Sequence, residues 1–127
     1  MICKASLITK NIEKFTENSP KILFTITSYI SKPNKLDSLK QTLDSFVKHT
    51  SIEKINKMIV INEYGKNTTE QISLLEKMYP QIEFIDKAEK DKGHARSINM
   101  IIDILREGTY DYWIHWEDSW ILKKPFL

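Results

Sequence analysis

Lys21-Ile22-Leu23-Phe24-Thr25-Ile26-Thr27-Ser28 is the stretch on which the fold turns. Its apolar and β-branched residues follow one another without the alternation of a half-exposed strand, which is the composition of a strand covered on both faces. Such strands belong to parallel sheets sandwiched between helices. Lys57-Met58-Ile59-Val60-Ile61-Asn62 repeats the pattern, Ile82-Glu83-Phe84-Ile85 is a shorter instance, and Tyr110-Asp111-Tyr112-Trp113-Ile114-His115-Trp116 is a fourth, aromatic one.

The segments between these runs have helical spacing. After the break at Lys32-Pro33-Asn34, apolar residues recur at Leu36, Leu39, Leu43, Phe46 and Val47, with Asn34 or Asp37 available as N-terminal cap. Thr68 and Gln71 form a capping-box pattern ahead of Ile72, Leu75, Met78 and Tyr79, and Pro80 ends that helix. Ile98, Ile101, Ile102 and Leu105 stand at i, i+3, i+4 and i+7, with Gly108 placed for a left-handed C-terminal cap. The order βαβαβαβ predicts an α/β domain, a three-layer αβα Rossmann-like arrangement with a mostly parallel sheet. Right-handed crossovers would bring every strand C-terminus to one edge. Residues 1–20 read as a lead-in, a short helix or a tail closing on Glu17-Asn18-Ser19-Pro20, and 21–127 as the domain.

Bulk properties narrow the classes. A chain of 127 residues with 41% hydrophobic and 28% charged residues has the composition of one globular domain, which excludes a disordered or collagen-like chain. A formal charge of +2, from 19 basic and 17 acidic residues, is too balanced for a nucleic-acid binder that works by neutralising phosphates. Cys3 is the only cysteine, so there is no internal disulfide and no thiolate metal cluster. Lys4, Lys10, Glu13 and Lys14 interrupt the N-terminal apolar residues, and no segment approaches the ~20 apolar residues of a spanning helix. The expectation is a cytoplasmic protein without a transmembrane segment.

Four polar clusters fall where the strands end: Thr27-Ser28-Tyr29, Asn62-Glu63, Asp86-Lys87 and Glu117-Asp118-Ser119. A ligand is expected along that edge. With three glycines the chain has neither the dinucleotide glycine triplet nor the phosphate-loop lysine pattern. Lys92-Gly93-His94-Ala95-Arg96-Ser97-Ile98-Asn99 opens a helix whose N-terminus and Arg96 suit a phosphate. Glu117 and Asp118 emerge from an apolar strand, a placement that suits a divalent cation bridging carboxylates to a diphosphate. His94 and His115 do not have the spacing of a helical metal pair, and His115, inside a strand, reads as a satisfied, partly buried imidazole.

In this order the clusters resemble the nucleotide-sugar-binding half of GT-A fold glycosyltransferases, especially the inverting group called family 2, over about Lys21 to Trp120. Ile26-Thr27-Ser28-Tyr29 followed by Leu36 to Phe46 is similar to that group's opening strand, loop and first helix, Lys92 to Asn99 to its glycine, arginine and asparagine segment, and Tyr112 to Trp120, with Glu117-Asp118-Ser119-Trp120, to its aspartate-x-aspartate strand in the Glu-Asp-Asp-Trp variant. The resemblance implies a UDP- or GDP-sugar donor. It implies that Thr27 and Tyr29 line the base pocket, that Glu63 accepts from base or ribose, and that Arg96 lies by the nucleotide. Glu117 would stand by the ribose or sugar, and Asp118 by the donor and a Mn²⁺ or Mg²⁺ ion. Ser119 occupies the usual position of a metal-binding carboxylate, and a neutral hydroxyl there removes charge from the cation site. In this family the acceptor site and general base follow the acidic motif, so the resemblance implies that these residues lack the acceptor half: either the chain is a fragment of a longer enzyme, or a partner or a second copy supplies that half.

The competing reading is a non-catalytic, degenerate relative that uses the fold for binding or protein contacts. A receiver-like domain ranks third, because Thr27-Ser28-Tyr29 lacks the paired acids such domains carry after the first strand.

Overall fold

The computed structural model describes residues 2–4, 20–30, 33–50, 54–63 and 69–124. In chain order the elements are β1 (Ile2–Lys4), β2 (Ile22–Ser28), α1 (Pro33–His49), β3 (Lys57–Asn62), α2 (Thr69–Met78), β4 (Glu83–Asp86), a short 3-10 turn (Glu89–Asp91), α3 (His94–Glu107) and β5 (Tyr112–Glu117). Each of the four expected strands is present, within two residues of its expected start. Among the described residues the sheet has five strands in the order β1-β5-β2-β3-β4. Four run parallel, and β1 joins β5 antiparallel, pairing Ile2 with Ile114 and Lys4 with Tyr112. That edge strand stands where the sequence reads as a short helix or a tail.

All seven residues of β2 are buried, as its apolar and β-branched composition without alternation leads one to expect. Successive side chains go to opposite faces. Phe24 and Ile26 join Val60 and Ile114 under Leu39, Leu43 and Phe46 of α1 and Ile72 and Leu75 of α2. Leu23 joins Ile59 and Ile61 under Ile101 of α3, with Ile98, Ile104 and Leu105 packed around them. The domain is therefore an αβα sandwich with two helices on one face and one on the other.

Several local expectations change. Pro33 opens α1, a position that suits its fixed φ, so Asn34 and Asp37 lie inside the helix instead of capping it. Thr68 lies outside the described residues. Met78 is 51% exposed, whereas Tyr79 is buried just past α2, its N–H bonded to Leu75 O (2.8 Å) and its hydroxyl to Asp44 Oδ1 (2.5 Å). Gly108 ends α3 in extended backbone (φ −94°, ψ 176°), not the left-handed conformation. Its lack of a side chain serves a close approach instead, since a Cβ there would lie 2.7 Å from Tyr110 Cδ2. Ile102 is half-buried and Ile104, not Ile102, packs in the α3 cluster.

The topology fixes where a ligand can enter. From β2 the chain steps outward to β3 and β4, then returns through α3 to β5 on the opposite side of β2. Strand order reverses between β2 and β5, and in open α/β sheets the crevice beyond the strand C-termini at such a reversal is the usual binding place.

Candidate ligand site at the strand ends

Pairing in the sheet brings the polar clusters together. Thr27 is opposite Glu117, Ser28 opposite Asn62, and Asn62 opposite Asp86. The strands' period of two assigns Thr25, Thr27, His115 and Glu117 to the face covered by α3, and Ser28, Asn62 and Asp86 to the other.

On the α1–α2 face Asn62 is a fully buried hub. Its Oδ1 accepts from Ser28 Oγ (3.2 Å) and from the Ile30 N–H (3.1 Å), and its Nδ2 donates to Asp86 Oδ1 (3.0 Å). The Glu63 N–H donates to Ser28 O (2.7 Å). These bonds shape the turn that carries Tyr29, whose ring is 49% exposed.

On the α3 face the central group is Lys87, a side chain only 1% exposed. Its ammonium donates to Glu63 Oε2 (2.8 Å), Gly93 O (2.9 Å) and Ser97 Oγ (2.6 Å), which uses all three of its protons. Glu63 Oε2 also accepts from the Gly93 N–H (3.0 Å), and Ser97 Oγ donates to Glu63 Oε1. Burial pushes the Glu63 carboxyl up, but the bonds from Lys87, Ser97 and Gly93 and the Lys87 charge outweigh it and hold it below the ordinary carboxylate range. Gly93 sits at φ 117°, a left-handed conformation that favours glycine and turns the chain into α3. The network thus ties the ends of β3 and β4 to the start of α3.

At the β2–β5 crevice the contacts are looser. Thr27 Oγ1 donates to Glu117 Oε2 at 3.5 Å, and the Tyr29 N–H donates to Asp118 Oδ2 at 3.2 Å. Thr42 of α1 anchors the turn by donating to Asp118 O (2.7 Å). Asp118 Oδ1 has no partner among the described residues, so its half-buried carboxylate retains capacity for a ligand. Ser119 is exposed. Behind the turn, Trp116 Nε1 donates to Trp120 O (2.9 Å), the two indoles meet edge to face at 5.3 Å, and Trp116 rests on Phe46 at 5.2 Å.

The expected site residues therefore fall into three places. Thr27, Tyr29, Glu117 and Asp118 meet at the crevice; Glu63 stands beside it, bonded to Lys87. Arg96 is turned toward the 3-10 segment, donating to Lys90 O with Asp91 Oδ1 3.7 Å away. Asp118 and Ser119, the residues expected at a cation, follow β5 directly and offer one carboxylate between them, and among the described residues no three His, Cys, Asp or Glu side chains gather as a metal cluster. The sequence places Lys87 in an edge cluster and Ser97 in the segment that opens α3, but gives neither a role; their joint bonding to Glu63 comes from the fold. Parity carried the signal for Lys87: it continues the α3-facing series after Ile85, as Glu63 does after Ile61.

No family model matches the chain, and no curated protein matches it in sequence. Among solved structures the chain is similar to the crystal structure of S. aureus TarS, with 12% identity and a TM-score of 0.49; the match covers 78% of this chain and 16% of that one. Among the described residues no helix is long and apolar enough to cross a membrane.

Proposed function

We propose that this domain binds a nucleotide-sugar, UDP- or GDP-linked, as the donor half of a cytoplasmic glycosyltransferase that transfers the sugar to an acceptor hydroxyl. The observation that supports it most is the strand-order reversal between β2 and β5, at whose C-terminal end Thr27 meets Glu117 and the Tyr29 N–H meets Asp118. The exposed Tyr29 ring offers a stacking surface for a base, and the Glu117 and Asp118 carboxylates accept from ribose or sugar hydroxyls. A divalent cation, when bound, neutralises diphosphate charge, with Asp118 as its carboxylate ligand and Ser119 as a neutral neighbour. The base that deprotonates the acceptor belongs, on this reading, to a partner or to an acceptor half beyond these residues.

Calorimetric titration with a panel of UDP- and GDP-sugars, with and without Mn²⁺, tests the proposal. Saturable binding by at least one donor is expected; heat of dilution alone across the panel overturns it. Two observations favour the alternative of a non-catalytic binding module: neutral Ser119 at the cation position, and a Glu63 carboxylate already occupied by three internal donors. Donor binding without turnover would support that module, and sugar transfer by this chain alone would exclude it.

A further inference from the structure

Three polar side chains lie inside the α3 face of the sheet at positions where packing calls for apolar ones. Thr25 is fully buried and His115 nearly so, while the half-buried Trp113 packs against the α3 core cluster. Polar groups are kept in such places only when bonded, and these are bonded in series. Trp113 Nε1 donates to Thr25 Oγ1 (2.8 Å), and Thr25 Oγ1 lies 2.9 Å from His115 Nδ1. The indole N–H can only donate, so the threonine hydroxyl accepts from it, and it can then either give its own proton to Nδ1 or accept a second bond from it. The Glu117 carboxylate favours the first arrangement: its Oε1 stands 3.5 Å from Nε2, where a ring proton is attracted and a bare nitrogen lone pair is repelled. The series runs from the core to one of the carboxylates of the β2–β5 crevice.

We infer that His115 is a positioning residue for Glu117: held by Thr25 and Trp113, its Nε2–H sets where the Glu117 carboxylate stands in the crevice. The inference rests on the donor-binding reading for its consequence, but its geometry stands without it. Glu117 has little else to hold it. Among the described residues its other oxygen receives only the 3.5 Å contact from Thr27, and the side chain is otherwise part-exposed. The His115 approach is an electrostatic contact and the Thr27 one a long hydrogen bond, so the carboxylate is aimed while its lone pairs remain available to ligand hydroxyls. Trp113 and Thr25 precede His115 and Thr27 by two residues on their strands, so strand period alone stacks the series along one face. His94 of α3 approaches from above, its ring centroid 6.5 Å from that of His115, too far for a direct bond.

Two measurements test this. The ¹⁵N spectrum of the His115 ring at neutral pH should report the Nε2–H tautomer, shifted by Glu117→Gln and lost or mixed in Thr25→Val; an Nδ1–H tautomer in the unaltered protein, or indifference to both substitutions, overturns the inference. In calorimetry with UDP and with GDP, His115→Leu should weaken binding about tenfold or more, the loss expected for a bond to a charged group. His115→Gln, which keeps a donor of similar reach, should bind within about threefold of the original. Undiminished binding by a folded Leu variant overturns the positioning role. If neither nucleotide binds the unaltered protein, the donor reading fails and the ring tautomer alone decides the series.

Discussion

Replacing Lys87 with methionine keeps most of the side-chain volume and removes the ammonium that joins three parts of the site. In the native protein that group is 1% exposed and gives all of its protons to Glu63, Gly93 O and Ser97. Without it, Glu63 is left as a charge in a largely dry place. The carboxylate keeps the bonds from Ser97 and the Gly93 N–H and is itself 17% exposed, so water and two donors cover part of the loss. The expected destabilisation is about 3 kcal/mol, the lower end of the cost of orphaning one partner of a buried pair. In a domain of this size the midpoint of thermal unfolding should fall on the order of 10 °C. Urea denaturation should show the loss as a lower midpoint at unchanged slope. Removing both charges in Lys87→Met with Glu63→Met should recover at least about 1.5 kcal/mol of it, because neither ion is then left unpaired. Acid adds a second readout. Because the folded Glu63 carboxyl lies below its ordinary value of 4.5, its stabilisation is complete above that pH and disappears as pH falls through the folded value. The gap between native protein and Lys87→Met should therefore narrow on acidification. A loss under about 1 kcal/mol, or strictly additive effects in the double variant, would refute the account of Lys87 as the tie between β3, β4 and α3.

Other substitutions probe the turn and the crevice. Gly93→Ala has open space for the new methyl group but a backbone at φ 117°, so it should cost about 1–2 kcal/mol through strain alone, read by the same urea titration. Asp118→Ala should weaken UDP binding on the order of tenfold and remove any enhancement by Mn²⁺. Ser119→Asp should create or enlarge that enhancement, since it adds a hard, charged oxygen ligand beside Asp118; affinity unchanged by Mn²⁺ in both variants would argue against a cation at this turn.

The strands were readable because burial on both faces leaves a compositional mark: Ile22–Ser28 and Lys57–Asn62 are runs of mainly apolar and β-branched residues without alternation, and helical spacing between them leaves little choice but parallel pairing. The edge that gathers Thr27, Asn62, Asp86 and Glu117 followed from the same topology. What escaped depends on contacts that no local pattern encodes. Ile2–Lys4 is a three-residue strand whose partner among the described residues is more than a hundred residues away, so it has neither the length nor the periodicity to declare itself. Lys87 looks like any surface lysine until Glu63 and Ser97, 24 and 10 residues distant, are seen to meet its ammonium. Arg96 had the composition of a phosphate contact, but the 3-10 turn at Glu89–Asp91 offers Lys90 O and Asp91 closer at hand. Gly108 was legible as a helix end but not as a seat for the Tyr110 ring, which depends on the path taken after the helix.

How tightly each carboxylate is held sorts the edge into framework and ligand positions. Glu63 has donors on both oxygens at ordinary or short range, and a ligand hydroxyl would have to compete with a buried ammonium to displace them. Asp86 receives the Asn62 amide and so helps fix the hub beneath the Tyr29 turn. Glu117 and Asp118 differ: their contacts are 3.2 to 3.5 Å long, they flank the strand-order reversal, and their backbone is anchored by Thr42 and the Trp116–Trp120 pair instead of by their own side chains. A rigid backbone carrying loosely committed carboxylates is the arrangement that lets a ligand gain charge-assisted bonds without breaking strong internal ones. On the donor-binding reading, direct recognition therefore concentrates at Glu117 and Asp118, and Glu63 acts mainly by fixing the start of α3 beside them.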